Sequence, residues 1–375
     1  MHRRQFLIKS SIAATATAVR WPNIARAETA PTWPGYAAAI VIDALGAPGG
    51  GSFGDRVPLT ATNLADVTAS GLTAVNVTVG GVGSYTRDFE DALRNIAFWD
   101  GQIEAHPNVL MKIKGGADLA EAKKTGRCGL IYGFQDATPF GELLDRFDLF
   151  QDLGIRIIQL TYNLKNLVGD GCMEPRNAGL SLFGRDLVAR MNQKRVLVDL
   201  SHCGERTTLD AIERSTQPVA ITHAGCMAVA DLPRNKTDEE LRKLADKGGV
   251  VGIYLMPFLR TTGQPMAEDV VQHIDHAVNV CGEDHVGIGT DGVISPINVT
   301  PEFRQKFREE IAKRRERGIS APGEREDAFT FVPDLNTPKR FETIASLLSK
   351  RGYADTRIAK ILGGNFNRLF REVWG

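Results

Sequence analysis

The sequence lacks three features that would point to particular classes of protein. Lysine and arginine together number 45, as do aspartate and glutamate, so the formal net charge is zero. A balanced charge gives no electrostatic reason to expect nucleic acid or an anionic membrane surface as the main partner. After the N-terminal stretch, no segment reaches the ~20 uninterrupted apolar residues that a spanning helix needs. With 43% hydrophobic residues among 375, the chain can bury one large α/β core or two ordinary ones.

Cysteine is scarce, and its spacing excludes the common structural metal sites. No two of the five cysteines form a CxxC pair or a zinc-ribbon spacing. A disulfide between Cys203 and Cys226 stays open as an alternative, but we expect free, buried thiols. The five are Cys128, Cys172, Cys203, Cys226 and Cys281.

The first 27 residues carry a targeting pattern. Arg3 and Arg4 precede Gln-Phe-Leu, a small apolar stretch follows, and "ARA" ends at residue 27. This order is typical of a twin-arginine export signal, and the alternative is an arbitrary basic N-terminus before a weak helix. We therefore expect a signal peptide over 1–27, a periplasmic mature protein starting near Glu28, and one domain over 28–375. Proteins exported by this route often fold around a cofactor first.

Short apolar runs alternate with helix-length stretches, which predicts a parallel sheet covered on both faces. Eight such runs match a (β/α)8 TIM barrel of the α/β class in number and spacing. A doubly wound open sheet is the competitor, but "GAPGGG" at 46–51 lacks the GxGxxG spacing of a dinucleotide site. The eight runs are AIVIDAL (39–45), TAVNVTV (73–79), GLIYGF (129–134), IRIIQLTY (155–162), VLVDLS (196–201), PVAITH (218–223), GVVGIYL (249–255) and HVGIGTD (285–291).

Polar side chains follow several of the predicted strands. In a barrel the strands end at one mouth, where the chemistry takes place. His202 and His223 end the fifth and sixth strands, and Asp291 ends the eighth. Three such residues converging on one mouth indicate a metal or substrate site. The third and fourth strands add Gln135, Asp136, Tyr162 and Asn163.

From about residue 128 to the C-terminus the sequence resembles the membrane (renal) dipeptidases, zinc-dependent barrels of the amidohydrolase superfamily. The resemblance lies in GLSLFGRDLVARMNQKRVLVDLSH, PVAITHAG, LPRNKTDEELRKLADKGGVVGIY, HIDHAVNVCGEDHVGIGTDG and ILGGNFNRLF. It implies that His202 and His223 are metal ligands. It also implies that Arg234 binds the substrate carboxylate and that Asp291 is a catalytic aspartate.

Four positions depart from the family pattern. The family's "DGHND" is "DALGA" here, so two metal ligands are replaced by Leu45 and Ala47. The bridging glutamate falls on Gln135, and a histidine that polarises the substrate falls on Tyr162. Zinc binds imidazole nitrogen, thiolate or carboxylate, so leucine and alanine cannot hold it. A neutral glutamine is also a poor bridge between two dications.

These changes favour a site with one zinc ion. We expect His202, His223 and an oxygen of Gln135 or Asp136 to bind it, with an open position for water. One zinc can lower the pKa of bound water to about 7, and Asp291 would accept the proton. Tyr162 is predicted to be catalytic and Asn163 to bind substrate, against the alternative that both only pack at the barrel rim.

Other polar residues are expected to act differently. We expect structural roles for three histidines, on a helix and at the start of the last strand. The loop 170–179 provides two candidate lid residues, Glu174 and Arg176. The charged run 304–318 is predicted to be a solvated helix in an excursion that borders the mouth. The three histidines are His273, His276 and His285.

Three functions remain open from sequence. The first is an exported dipeptidase-like hydrolase that acts on a small dipeptide-like or amino-acid-derived substrate. The second is a metal-independent lyase or isomerase that uses the same pocket for proton transfer. The third is a non-catalytic binding protein on a degenerate barrel. Family members often pair, so a homodimer is also an expectation.

Overall fold

The computed structural model describes residues 33–49, 56–82 and 87–375. The predicted export signal lies outside these ranges. The strands are β1 (Ile42–Asp43), β2 (Gly46–Ala47), β3 (Ala74–Thr78), β4 (Leu110–Lys112), β5 (Cys128–Phe134), β6 (Ile155–Gln159), β7 (Leu197–Asp199), β8 (Ala220–Ala224), β9 (Val250–Ile253), β10 (Val286–Ile288) and β11 (Gly292–Val293).

Helices follow most of these strands. They are α1 (Ala61–Ser70), α2 (Asp88–Ala105), α3 (Gly116–Thr125), α4 (Arg146–Asp152), α5 (Leu182–Gln193), α6 (Glu205–Arg214), α7 (Asp238–Asp246), α8 (Ala267–Cys281), α9 (Pro301–Glu316), α10 (Arg340–Lys350), α11 (Asp355–Ala359) and α12 (Asn365–Trp374). No helix within the described ranges is both long enough and apolar enough to cross a membrane.

Eight parallel strands form a (β/α)8 barrel, as predicted. They pair in the order β1-β3-β5-β6-β7-β8-β9-β10. The last strand returns to the first, where the amide of Ala44 donates to the carbonyl of Ile288 at 3.0 Å. Beyond this contact β11 pairs with β2. Each of the eight predicted runs overlaps a barrel strand. The short strand β4, which pairs with the amino-terminal part of β5, was not predicted.

The end of the barrel opposite the carboxyl ends of the strands, its lower half, is apolar and closed by α12. Its buried residues come from successive strands and pack against one face of that helix. Gly287 in β10 makes room for this contact, because a Cβ there would lie 2.5 Å from the Phe366 ring. Burying this layer contributes to the hydrophobic stabilisation of the fold, beside a larger buried cluster that includes Val77, Phe140, Leu187 and Ile274. The layer includes Ile42, Ala74, Ile131, Ile157, Leu197, Ala220, Val250, Phe366, Leu369, Phe370 and Val373.

The upper half of the barrel is polar. Near the carboxyl ends of the strands, buried side chains such as Asn76, Gln159, Asp199 and Thr222 replace the apolar layer. Buried polar groups are costly unless they are hydrogen-bonded or face a ligand. The fold therefore separates a stabilising base from a mouth suited to chemistry.

Candidate metal centre and active site

His202 and His223 face each other across two neighbouring strands. The first follows β7 and the second lies in β8, and both are buried. Their Nε2 atoms are 2.9 Å apart. Asp291, beyond β10, adopts a left-handed backbone with φ of 54°, which is uncommon outside glycine and often found at functional sites. Ligand atoms of the three residues all lie within 4.8 Å of one another.

The hydrogen bonds of His202 determine which ring nitrogen carries the hydrogen. Nη2 of Arg234 lies 3.1 Å from its Nε2, and a guanidinium can only donate. Nε2 therefore carries no hydrogen and presents its lone pair, whereas Nδ1–H donates to Oδ1 of Asn163 at 2.6 Å. The amide of Asn163 is oriented by its Nδ2, which donates to the carbonyl of Ile319 at 2.9 Å.

A second chain of hydrogen bonds gives His223 the same tautomer. The buried carboxylate of Asp199 accepts from the hydroxyls of Ser201 and Thr222 at 2.6 and 2.7 Å. With its hydrogen committed there, Oγ1 of Thr222 accepts from Nδ1–H of His223, 2.9 Å away. Nε2 of His223 therefore carries no hydrogen and presents its lone pair. Ligating histidines are usually oriented by such outer hydrogen bonds.

Two facing lone pairs and a carboxylate suit one cation. Two imidazole nitrogens this close together can bind the same cation, since zinc–nitrogen bonds are about 2.0–2.1 Å long. The donor set of two imidazoles and one carboxylate is that of several catalytic metal sites. The buried side chains of Leu45 and Ala47 offer no donor atom to a second cation.

Burial and charge shift the pKa values of all three residues. Burial lowers the pKa of His202 and of His223 well below 6.5, and the nearby charge of Arg234 acts in the same direction. Both rings are therefore neutral, as metal ligands must be. Asp291 is partly exposed as a residue, yet burial of its carboxyl group raises the pKa to about 7. Arg234 and Arg314 oppose that increase.

Asp136 and Gln135, the other two residues predicted to bind the metal, lie in different surroundings. Oδ1 of Asp136 accepts hydrogen bonds from Asn166 and from the amide of Thr138, at 2.7 and 3.3 Å. The carboxylate that lies with the histidines is Asp291, and metal binding by Asp136 stays a prediction. Gln135 lies beside Asp291, where its amide favours the charged carboxylate. Nε2 of Gln135 has no hydrogen-bond partner of ordinary geometry among the described residues.

Arg234 is the cation of the site and is only 1% exposed. Its Nη1 donates to the carbonyl of Ser201 at 2.9 Å, and its guanidinium lies over the rings of Tyr254 and Phe258 at 5.6 and 5.8 Å. A rigid, buried guanidinium is well suited to bind a carboxylate through two hydrogen bonds.

Tyr162 and Asn163 both contact His202. The ring of Tyr162 stacks on the imidazole with centroids 4.2 Å apart and an interplanar angle of 24°. Asn163 orients the same imidazole, so its direct contact in the structure is with a candidate ligand. Substrate binding by Asn163 and catalysis by Tyr162 stay predictions.

The loop after β6 is tied to the site. The amide of Cys172 donates to the carbonyl of His202 at 2.8 Å. Oε1 of Glu174 accepts from the amide of Lys165 at 2.9 Å, so this candidate lid residue holds the loop itself. Arg176 is exposed, and its role in a lid stays a prediction.

The three histidines that were expected to be structural make such contacts. Nδ1 of His273 accepts from the amide of Cys226 at 2.9 Å, and its Nε2 lies 3.1 Å from the carbonyl of Leu259. His276 pairs with Asp238, and His285 bonds to the carbonyl of Gly249. All five cysteines are free thiols.

Sequence reasoning missed two charged residues at the mouth. Arg314, near the end of α9, pairs with Glu324 through two hydrogen bonds of 2.6 and 2.8 Å. The helix is therefore not fully solvated. A stripe at helical spacing could have indicated this, since Phe307 and Ile311 are buried on the same face.

Known proteins share this fold and much of the sequence. A solved amidohydrolase from Pseudomonas aeruginosa is 32% identical and covers 91% of this chain and 98% of its own, with a TM-score of 0.76. A metallo peptidase from Rhodobacter sphaeroides, solved with a phosphinate mimic of L-Ala-D-Ala, superposes with a TM-score of 0.71. It covers 90% of this chain and all of its own, but at 20% identity it supports the fold alone.

Curated relatives and a family model extend the comparison. Dipeptidase tcpJ of Claviceps purpurea (strain 20.1) is 30% identical over 299 residues, which span 76% of this chain and 63% of that protein. The chain thus matches less than two thirds of that relative's length. Residues 59–302 match the family model described as membrane dipeptidase, peptidase family M19. The match covers more than half of the sequence and includes both histidines, Arg234 and Asp291. The chain therefore belongs to the membrane dipeptidase family.

Proposed function

We propose that the protein is a dipeptidase-type metallohydrolase that cleaves the amide bond of a small dipeptide-like substrate with one bound zinc ion. The observation that carries this proposal is the 2.9 Å approach of two unprotonated Nε2 atoms beside Asp291. Membership of the membrane dipeptidase family supports the reaction class. The buried guanidinium of Arg234 supports a substrate with a free carboxylate.

The proposed reaction uses four side chains. When bound, the cation supplies Lewis acidity and makes water more acidic. Arg234 holds the substrate carboxylate and so fixes the amide in position. Asp291 would help to hold the cation, and its carboxylate would accept a proton from the attacking water and pass it to the leaving nitrogen. The water oxygen bonds to the carbonyl carbon, the carbon–nitrogen bond breaks, and Tyr162 donates a hydrogen bond to the carbonyl oxygen.

The test is a metal-quantified activity screen. We expect about one zinc per chain after reconstitution and hydrolysis of dipeptides with a free C-terminal carboxylate. The double variant H202N/H223N should lose both, whereas H285N, at the opposite end of β10, should keep both. A reconstituted protein that binds no cation, or that turns over a small acid after complete chelation, would contradict the proposal.

We also propose export to the periplasm by the twin-arginine route, supported by the sequence of residues 1–27. Cell fractionation should recover a mature form starting near Glu28 from the periplasm. Replacing both Arg3 and Arg4 by lysine should leave the uncleaved chain in the cytoplasm. Periplasmic recovery of this variant at the wild-type level would argue against that route.

A further inference from the structure

A segment beyond the family match crosses the mouth of the barrel. The match ends at residue 302, within α9, and residues 314–324 follow on from there. We call residues 314–324 the mouth segment. It contacts the surroundings of His202 twice, through the carbonyl of Ile319, which accepts from Asn163, and through Arg314, whose Nη2 lies 3.5 Å from Oη of Tyr162.

Arg314 is held in place by its own partners. Glu324, which is 7% exposed, takes hydrogen bonds from Nε and Nη2 of the guanidinium at 2.6 and 2.8 Å. The same carboxylate accepts from the hydroxyl of Ser320 and the amide of Ala321, each at 3.2 Å. A carboxylate with four donors keeps the guanidinium in one orientation, and bidentate pairs are the most specific of such contacts.

The direction of the Arg314–Tyr162 contact is determined by chemistry. A guanidinium has no acceptor, so the tyrosine oxygen is the acceptor and its own hydrogen is available to another group. The ring of Tyr162 is fixed by stacking on His202. The phenol is thus held by the imidazole of His202 on one side and by Arg314 on the other. Its own hydrogen is not donated to Arg314 and is available to another group.

We propose that Arg314 is a positioning residue that orients and polarises Tyr162 as a hydrogen-bond donor to the carbonyl oxygen of the scissile amide. The proposal rests on the hydrolase function proposed above. As water adds to the carbonyl carbon, negative charge grows on that oxygen, so a polarised donor stabilises the transition state more than the bound substrate. Arg314 therefore acts on kcat and leaves KM nearly unchanged.

A double-mutant cycle between Arg314 and Tyr162 tests this role. Removing Arg314 alone would leave the carboxylate of Glu324 buried without its partner, so all members of the cycle carry E324Q. The members are E324Q, E324Q/R314M, E324Q/Y162F and E324Q/R314M/Y162F. R315M is the matched control, because Arg315 is the neighbouring arginine and pairs with Glu326 on the surface at 51% and 43% exposure.

We expect R314M to lower kcat about tenfold and Y162F about a hundredfold, the latter being the usual cost of losing one such donor. KM should change by less than about twofold, and R314M should have no further effect once Tyr162 is phenylalanine. R314K, which keeps the charge and one donor, should recover part of kcat. E324Q/R315M should behave as E324Q, and zinc content should be the same throughout.

Binding of a phosphinate dipeptide analogue provides a readout independent of turnover. This tetrahedral anion should bind E324Q/R314M about tenfold more weakly than E324Q, and the difference should vanish with Y162F. Additive effects of R314M and Y162F, or a rise in KM at constant kcat, would overturn the positioning role while leaving the hydrolase intact. A zinc-loaded wild type that neither hydrolyses dipeptides nor binds the phosphinate would overturn both proposals.

Discussion

Asp291 combines an unusual backbone with an unusual acidity. Its pKa rises on folding from 3.8 to about 7, so the folded chain binds a proton that the unfolded chain has released. As the pH rises between these two pKa values, the free energy of unfolding of the cation-free protein therefore falls, because the unfolded chain ionises while the folded chain keeps the proton. A cation beside the carboxylate offsets this cost, which couples metal binding to the proton of one residue.

We predict that zinc affinity falls about tenfold for each pH unit below 7, because one proton must leave Asp291. His202 and His223 do not add to this slope, since their pKa values lie well below 6.5. Competition with a chelator between pH 5.5 and 8 measures the slope. D291N should bind zinc more weakly with a flat profile over this range. A two-proton slope would show that a histidine titrates too.

The replaced ligands make a second prediction at the same scale. Leu45 and Ala47 flank Gly46 in β2, next to Asp291, whose amide donates to the carbonyl of Leu45 at 2.8 Å. The triple variant L45H/A47D/Q135E supplies an imidazole and two carboxylates, which zinc binds well. Zinc content should rise from about one to about two per chain. Q135E alone should still bind one, and a triple variant that also binds one would contradict the prediction.

Among the elements, the loop that carries Arg234 is anchored by a buried ion pair. Nζ of Lys236 donates to Oε1 of Glu240, to the carbonyl of Cys203 and to Oγ1 of Thr208, at 3.0, 2.7 and 2.9 Å. The lysine and glutamate are 3% and 2% exposed in their side chains. The pair connects the loop after β7 to the start of α7 and so fixes the backbone that directly follows Arg234.

K236M should lower the free energy of unfolding by about 3–5 kcal/mol, because Glu240 would stay buried without its partner. K236M/E240Q, which removes the buried charge but keeps an acceptor for the amide of Thr237, should recover most of that loss. The exposed pair of Arg242 and Asp238 on the same helix is the control, and R242A should cost less than about 1 kcal/mol. Urea unfolding measures all three. A small loss in K236M, equal to that of R242A, would show that the anchor contributes little.

The elements also show what the sequence could and could not predict. The eight barrel strands were predictable because buried parallel strands are continuous apolar runs, and His202, His223 and Asp291 each lie at or just after the end of such a run. The three-residue strand β4 lacks a continuous apolar pattern and depends on pairing with β5. Arg314 was missed for a related reason. Its contact with Tyr162 depends on how α9 rotates and where the excursion crosses the mouth, and only tertiary packing determines those.

At the scale of the whole molecule, stability and metal binding occupy opposite ends of one barrel. The base is an apolar layer sealed by α12, with Phe366 and Phe370 fully buried. The mouth holds the polar network around His202 and His223. A ligand that binds only the folded state stabilises it by mass action. Zinc should therefore add to the stability that the base provides, without depending on it.

At a free zinc concentration of 100 times Kd, the gain is about 2.7 kcal/mol. For a chain of this size that corresponds to a rise in Tm of roughly 3–5 °C. H202N/H223N should show no zinc-dependent shift, because the two imidazole nitrogens that face each other at the mouth are gone. F370A should lower Tm through the cavity that it leaves in the base, yet keep the zinc-dependent shift, since α12 lies at the far end. Scanning calorimetry with zinc and with chelator measures each shift. If F370A abolished the shift, the two ends of the barrel would be coupled, and the separation of base and mouth would be wrong.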